Sequence, residues 1–410
     1  MSDFYPPEPG GLEAHVRRLA HALRRTGHTV AVVAGGPAGP PVDDDGVAVH
    51  HPGLSLDRLP AAFRDSAHRF HPPWPDHTFQ RGVRRVLDRF AADVVHAHGW
   101  CQFSAAAAVN GRVPVVVTLH DYGVHCPKKN LLRGDAECAR GRGVRCLRCR
   151  GDEQGTAKRA VLGGALSRTV PRLAARVDRF IAVSEHVARR FRETAPDPEQ
   201  VVVIPNFLDL PDEPAVEPTG SQVLYVGPAT RHKGLSVLLR ALRQVPPGLA
   251  EAVVVGVPAA DAVPAADAVP AADAVPAAGG APAAVRYAGR LTGEPLWRRF
   301  RAAAMVVVPS IWPEPCPTVA LEALAFGRPV VASRIGGLPD LVAHGGTGLL
   351  VPPGDPGALA GAITTLLSDR SLLKAMAAAA YASAPSFATT AVVRRIEAVY
   401  ADAAAAWRPR

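Results

Sequence analysis

Residues 305–333 read MVVVPSIWPEPCPTVALEALAFGRPVVAS: a β-branched run, a proline-bounded loop, a helical stretch and a second β-branched run. Pro315 and Pro317 lack backbone donors and restrict the residues before them, so the loop reads as a turn, and Pro317 suits the first position of a helix opening near Thr318. Val319, Ala320, Leu321, Ala323, Leu324, Ala325 and Phe326 make that helix apolar almost all round, the pattern of a buried helix. A strand, a covering helix and another strand specify a parallel sheet. Glu314 falls in the loop and Glu322 inside the helix, and a carboxylate in such surroundings needs a cation, donors or a ligand.

The alternation extends in both directions. Strands are expected at TVAVVAG from Thr29, DVVHAHG from Asp93, PVVVTLHD from Pro114, RFIAVS from Arg179 and VVVIPN from Val201, then at QVLYVG from Gln222, AVVVG from Ala252, AVRYAG from Ala284, PVVAS from Pro329 and TGLLVP from Thr347. Amphipathic helices lie between them, including basic ones at Ala14–Arg25 and Thr78–Phe90. PDEPAVEPTG from Pro211 breaks the pattern as a linker does. The expected architecture is α/β, two doubly wound domains facing a cleft: residues 1–207, joined by a C-terminal helix over 388–407, a linker over 208–220, and residues 221–387. Two features stand outside the pattern. VPAADA occurs three times within a low-complexity insertion over 257–283. The opening SDFYPPEPGGLE resembles the turn after a first strand, yet no strand precedes it, so either the chain starts a few residues late in the pattern or the first sheet lacks a strand.

The 410 residues exceed one ordinary core, and the net charge of +9 is carried almost entirely by arginine. No nucleic-acid-binding module accompanies that charge, so nucleic acid is not an expected partner. MSDFYPPEPGG has no apolar core of a secretory signal, and no run of about 18 apolar residues is present, which predicts a cytoplasmic protein. The basic helix and an arginine-rich loop over 123–152 leave open a peripheral contact with anionic lipid on the inner face of the cell membrane.

Several groups carry chemistry. Gly10 and Gly11, after Glu8 and Pro9, run into the first basic helix, where free amides and the helix dipole suit an anion. Arg231, His232 and Lys233 follow the strand LYVG at a helix start, where cations oppose the dipole unless an anion faces them. SRIGGLPDLV from Ser333 and EPCPTVALE from Glu314 each join a strand end to a helix start, so these loops are expected to line one crevice with Arg231 and Lys233. His120 and Asp121 close another strand. Cys126, Cys138, Cys146 and Cys149 fall in the long loop after His120; their spacing leaves open a structural zinc site, free thiols, or disulfide or iron–sulfur ligation. His96 and His98 read as strand-end residues, and Cys101 and Cys316 as packing. Asp43–Asp45 contains an Asp-x-Asp in a Pro/Gly loop, with no strand before it to make it a metal motif.

The segments FYPPEPGGLEAHVRRLAHALRRTGH, TLHD, FIAVSEHV, VVVIPNF, YVGPATRHKG, EPCPTVALEALAFGRPVVAS, GGLPDLV and GTGLLVPPGD, in this order, resemble the family 4 glycosyltransferases of the GT-B fold, with two Rossmann-like domains. The resemblance implies transfer of a hexosyl group from a UDP- or GDP-linked sugar to a glycan, lipid-linked or small-molecule acceptor, with retention and with no cofactor required for catalysis. It assigns Gly10 and Gly11 to the donor diphosphate and His120 to the transferred sugar. Lys233 takes the leaving diphosphate, Glu314 the sugar hydroxyls, Glu322 the ribose, and the amides around Pro317, Thr318 and Val319 a phosphate. One departure stands out: Gly227-Pro228 replaces the usual Gly-Arg, leaving Arg231 as the substitute cation. A nucleotide-sugar epimerase, or a catalytically degenerate relative that binds nucleotide or a partner, are the competing expectations.

Overall fold

The computed structural model describes the chain apart from residues 8–9, 59–70, 135, 140–142, 144–145, 147–148, 150–155, 194, 196, 258–283 and 409–410. The VPAADA repeats, Glu8 and Pro9 therefore lie outside the described residues. The chain forms two compact units, Met1–Asn206 with Thr389–Arg410, and Phe207–Ala388.

The first unit contains α1 (Gly11–Arg25), β1 (Ala31–Val33), β2 (Val42–Asp44), β3 (Val47–His50), α2 (His77–Arg89), β4 (Val95–His98), α3 (Gln102–Val109), β5 (Val115–Leu119), the short hairpin β6 (Leu132–Arg133) and β7 (Ala136–Glu137), α4 (Thr156–Ala174), β8 (Arg179–Ala182), α5 (Glu185–Arg192) and β9 (Val201–Val203). β4, β5, β8 and β9 form a parallel sheet in that order, and β1, β3 and β2 a second one in which only β2 is antiparallel. The expected gap in the first sheet is filled. Ser2 makes parallel bridges to both Ala34 and His98, with Ser2 N–H donating to Val33 O at 3.0 Å and His98 N–H to Met1 O at 2.9 Å. The two sheets thus join through the residues around Ser2, which is fully buried. Asp3, also buried, then accepts from the amides of Trp100 (2.8 Å) and Cys101 (2.5 Å), holding the turn that follows β4.

The last helix of the chain completes this unit by polar contacts. Its Glu397 accepts from Thr26 Oγ1 at 2.7 Å, Asp402 pairs with Arg179 at 2.6 Å, and Tyr400 Oη lies 2.7 Å from His96 Nδ1.

The second unit contains β10 (Gln222–Val226), α6 (Leu235–Leu242), β11 (Glu251–Val255), β12 (Ala284–Tyr287), α7 (Glu294–Ala302), β13 (Met305–Val308), α8 (Thr318–Ala325), β14 (Val330–Ser333), α9 (Leu338–Leu341), β15 (Gly348–Val351), α10 (Pro356–Ser368) and α11 (Arg370–Ser383), with α12 (Thr389–Ala406) returning to the first unit. Its six strands are all parallel, in the order β12-β11-β10-β13-β14-β15. Counted from the first strand of this unit the order is 3-2-1-4-5-6, a doubly wound sheet whose direction of winding reverses between β10 and β13. Val223, Val254, Met305, Val307 and Val331 form its core with Leu238, Ile363 and Leu366, which is why these strands read as continuous apolar runs.

Arg328, placed by the turn after α8, is completely buried. It donates to Phe326 O (3.0 Å), Ala303 O (2.9 Å) and Val216 O, tying the segment before β10 to the sheet, and burial draws its pKa down to about 10. Replacing it removes the donor from three carbonyls at once. Arg328→Met is expected to lower the unfolding free energy by about 3 kcal/mol, read from urea denaturation; an unchanged midpoint would show that these contacts contribute nothing net.

Candidate active site

The reversal between β10 and β13 leaves two loops diverging from adjacent strand ends, the geometry at which open α/β sheets take ligands. The loop after β10 carries Arg231–Lys233 in a short 3-10 turn that ends at Gly234, the N-cap of α6, so the cations stand at the helix start as the sequence led us to expect. Gly234 follows with φ +74°, and a Cβ there would sit 1.8 Å from Pro309 O. Only glycine permits this approach, which lets Ile311 N–H donate to His232 O at 3.0 Å and fastens the two loops together.

The fastening brings Lys233 Nζ to 2.7 Å from Glu314 Oε1, and Ser310 Oγ donates to the same oxygen at 2.7 Å. Lys233 also lies 5.5 Å from the centre of the Trp312 ring, against which His232 packs edge-on at 5.4 Å. A third loop, after β14, closes beneath: Gly336, at φ +61°, passes so near that a Cβ would fall 2.3 Å from Glu314 O, and Gly337 N–H donates to that oxygen at 2.7 Å. Glu314 is thereby buried with a cation and a hydroxyl on one carboxylate oxygen, whereas Lys233 keeps 27% of its side chain exposed. The Glu314 carboxylate and burial also push the Tyr225 hydroxyl, burial first, well above its usual range; that hydroxyl donates to Pro228 O at 2.9 Å.

α8 starts at Thr318, with Pro317 as its extended N-cap and no side-chain cap. Its first amides belong to Thr318, which is exposed, and Val319, which is half-buried; Glu322 is half-buried one turn further on, and Arg231 is exposed. Of the residues singled out from sequence, the structure joins Lys233 and Glu314 directly. Ser310 and Trp312 were missed. Ser310 and Trp312 lie in the loop after β13, and neither residue type signals a role without the lysine's position.

In the first unit His120 directly follows β5, beside His98, which ends β4 and pairs in register with Thr118. His98 Nδ1 lies 2.9 Å from His120 Nε2, and the His15 ring of α1 meets His120 edge-on at 4.5 Å between centroids. His96, from the same strand as His98, contacts Thr118 Oγ1 and Tyr400 Oη, each at 2.7 Å. Burial keeps all four imidazoles neutral: it lowers the pKa of His120 to about 3, against a smaller opposing effect of Asn206, and holds those of His15, His96 and His98 well below the usual histidine value. The strand-end reading of His96 and His98 is thus incomplete, because both belong to a histidine cluster around the predicted site residue. The loop beyond is held by Lys129, 3.7 Å from both Asp3 and Asp121 and over the Trp100 ring.

Gly10 caps α1 with an extended backbone, and Gly11 is exposed with open space around it. The Glu13 carboxylate folds back so closely that a Cβ on Gly10 would lie 2.0 Å from it. An anionic group of the chain's own thus covers the helix start where an anion was expected. Asp44 lies in β2, not in a loop; it takes a bidentate contact from Arg17 at 2.8 Å and others from Tyr5 and His21, and Arg17 foremost holds its carboxyl far below the usual range. It anchors α1 to the β2–β3 hairpin.

Cys126 is buried, and Cys138, Cys146 and Cys149 are partly buried. Burial, then the proximity of Cys126, Cys138 and Cys149, pushes the Cys146 thiol up, so the four thiols share one neighbourhood. Among the described residues no three of these sulfurs form a group within 4.8 Å of one another. Among the described residues, three-ligand groups of that compactness are formed by His15, His98 and His120 and by His21, Asp44 and Asp45.

Residues 9–211 match the family described as Glycosyltransferase Family 4, and residues 209–383 that described as Glycosyl transferases group 1. The D-inositol 3-phosphate glycosyltransferase 1 of Catenulispora acidiphila is 30% identical over 98% of this chain and 93% of its own. The chain belongs to the family 4 glycosyltransferases. Among solved structures, this glycosyltransferase shares its GT-B fold with the sucrose-phosphate synthase of Thermosynechococcus elongatus (TM-score 0.66, 22% identity, 97% and 94% of the two chains). It does so equally with the Anabaena protein HepE in complex with UDP-glucose (TM-score 0.66, 21% identity, 98% of each chain). No helix among the described residues is long and apolar enough to cross a membrane.

The buried carboxylate yields a prediction that needs no substrate. Lys233→Met leaves Glu314 without its cation and is expected to cost about 2 kcal/mol, less than a fully buried pair because Lys233 is partly wet. Adding Glu314→Gln should recover much of the loss; a double-mutant cycle by thermal unfolding that shows simple additivity would contradict a direct pair.

Proposed function

We propose that this glycosyltransferase is a retaining enzyme that moves a hexosyl group from a nucleoside diphosphate sugar, without a metal ion in the transfer step. The observation that carries the reading is the Lys233–Glu314 pair, held by three loops at the winding reversal of the 3-2-1-4-5-6 sheet. Breaking the sugar–phosphate bond places negative charge on the leaving diphosphate, and a preorganised cation lowers the barrier to that charge. Lys233 is such a cation: Glu314 and the Trp312 face hold its ammonium in place before a ligand arrives. Arriving phosphate oxygens would share the ammonium, and Glu314, still bonded to Ser310, would turn its second oxygen to sugar hydroxyls.

The uncapped start of α8 supplies amides of Thr318 and Val319 to a phosphate, Pro317 contributing none, and Glu322 accepts from the ribose diol. Arg231, exposed on the same 3-10 turn as Lys233, takes the place of the arginine absent at Pro228. The resemblance gives Gly10 and Gly11 to the diphosphate and His120 to the transferred sugar. A neutral His120 suits that role, since it donates or accepts a hydrogen bond without adding charge. In a front-face displacement the departing phosphate itself takes the acceptor's proton.

UDP is the first base to test, because HepE holds UDP-glucose, and a phosphorylated inositol is the first acceptor, because the Catenulispora relative is named for it. The reading places the enzyme in the cytoplasm, with the basic face of α1 as the candidate contact for anionic lipid should the acceptor be lipid-linked. A thermal-shift titration with UDP, GDP, ADP and NAD tests it. One nucleoside diphosphate should raise the melting temperature, and Glu322→Ala should abolish the rise. Lys233→Ala should cut kcat by about 10²-fold with the matching donor. No response to any nucleotide would favour the degenerate, partner-binding alternative, and donor consumption without acceptor the epimerase.

A further inference from the structure

We propose that His15, His98 and His120 form a binding site for a transition-metal dication of the Zn2+ class, built on residues other than Lys233 and Glu314. The three rings come from α1, the end of β4 and the residue after β5, and one ring nitrogen from each lies within 4.8 Å of the other two. His98 Nδ1 and His120 Nε2 are already 2.9 Å apart. Nitrogens bound tetrahedrally to zinc at about 2.0–2.1 Å are about 3.3 Å from one another, a spacing that lies between the 2.9 Å of this pair and the 4.8 Å that bounds the group.

The donor chemistry selects the metal. Three imidazoles with no carboxylate among them suit Zn2+, Cu2+ or Ni2+ and do not suit Mg2+ or Ca2+, which take oxygen ligands. Each neutral imidazole offers one ring-nitrogen lone pair. Surrounding groups fix the rings as outer partners of a metal site do: His96 packs on His98 at 4.1 Å and is itself held by Thr118 and Tyr400, while Asn206 hydrogen-bonds His120. Proton accounting closes. The proton between His98 Nδ1 and His120 Nε2 moves to the other nitrogen of the ring that carries it; on His120 that nitrogen faces Asn206, whose Oδ1 accepts it once the side-chain amide turns over, and both facing nitrogens become ligands with no net release. His15 and His98 are buried and His120 is half-buried.

This site does not rest on the transfer reading. If that reading also holds, an occupied site withdraws His120 from the sugar, and Zn2+ inhibits transfer until a chelator removes it.

The test is direct binding to the full chain after chelator dialysis. Co2+ is titrated by visible absorption and displaced by Zn2+, in the wild type and in a variant with Cys126, Cys138, Cys146 and Cys149 changed to serine. The expected result is one equivalent bound in the cysteine-free variant, with a tetrahedral Co2+ spectrum lacking thiolate charge-transfer bands, and its loss in His15→Gln and in His98→Gln. Circular dichroism establishes that each variant is folded. If the cysteine-free variant does not fold, the same titration of the wild type decides by whether a band without thiolate character disappears in folded His15→Gln. Absence of such binding, or binding that survives both histidine changes in folded protein, overturns the proposal.

Discussion

A carboxylate as buried as that of Glu314 is tolerable only when a cation and donors meet it, and the second unit is built to deliver them. Lys233 and Ser310 reach one oxygen from the loops after β10 and β13, and the loop after β14 supports the backbone beneath it. Those approaches depend on Gly234 and Gly336, where a side chain would strike Pro309 or Glu314. The parallel register of β10, β13 and β14 puts the three loops at one end of the sheet, so winding order, glycine placement and charge pairing are one constraint seen at three scales. Electrostatic catalysis of group transfer requires such charges to be in place beforehand, because an ammonium ordered only on binding would spend stabilisation on its own ordering.

The first unit solves a different problem, the joining of two sheets. Ser2 does this by bridging Ala34 and His98, and Asp3 then holds the turn beyond β4. The strand ends so aligned set His98 beside His120, and α1 brings His15 against them. Buried imidazoles tolerate one another where buried ammonium groups would not, since desolvation returns them to the neutral form and neutral rings can hydrogen-bond in a row. The C-terminal helix belongs to the same network through Tyr400, which links the two ends of the sequence to one histidine cluster.

Parallel strands could be recognised in the sequence where they are covered on both faces and read as unbroken apolar runs, as MVVV of β13 and VVAS of β14 do; the edge strand β12, AVRY, is partly exposed and was read from its place in the alternation. The stretch 305–333 already contained its loop, its buried helix and both glutamates. By contrast, the strand position at Ser2 carries no local signal, because one or two residues cannot show a period and their pairing comes entirely from neighbours distant in sequence. The same limit hid Asp44, whose strand is defined by its partner β3.

The sequence by itself determined the alternation, the family resemblance and the identities of Lys233, Glu314, Glu322 and His120 as residues of interest, since charge in an apolar run and glycine at a strand end are local properties. Only the tertiary structure decided that Lys233 and Glu314 are partners across 81 positions, that Arg328 is a buried tie, and that His15, His98 and His120 face one another. These are distances between side chains on separate elements. They follow from strand order and register, which no single segment encodes because each depends on what the other segments pack against.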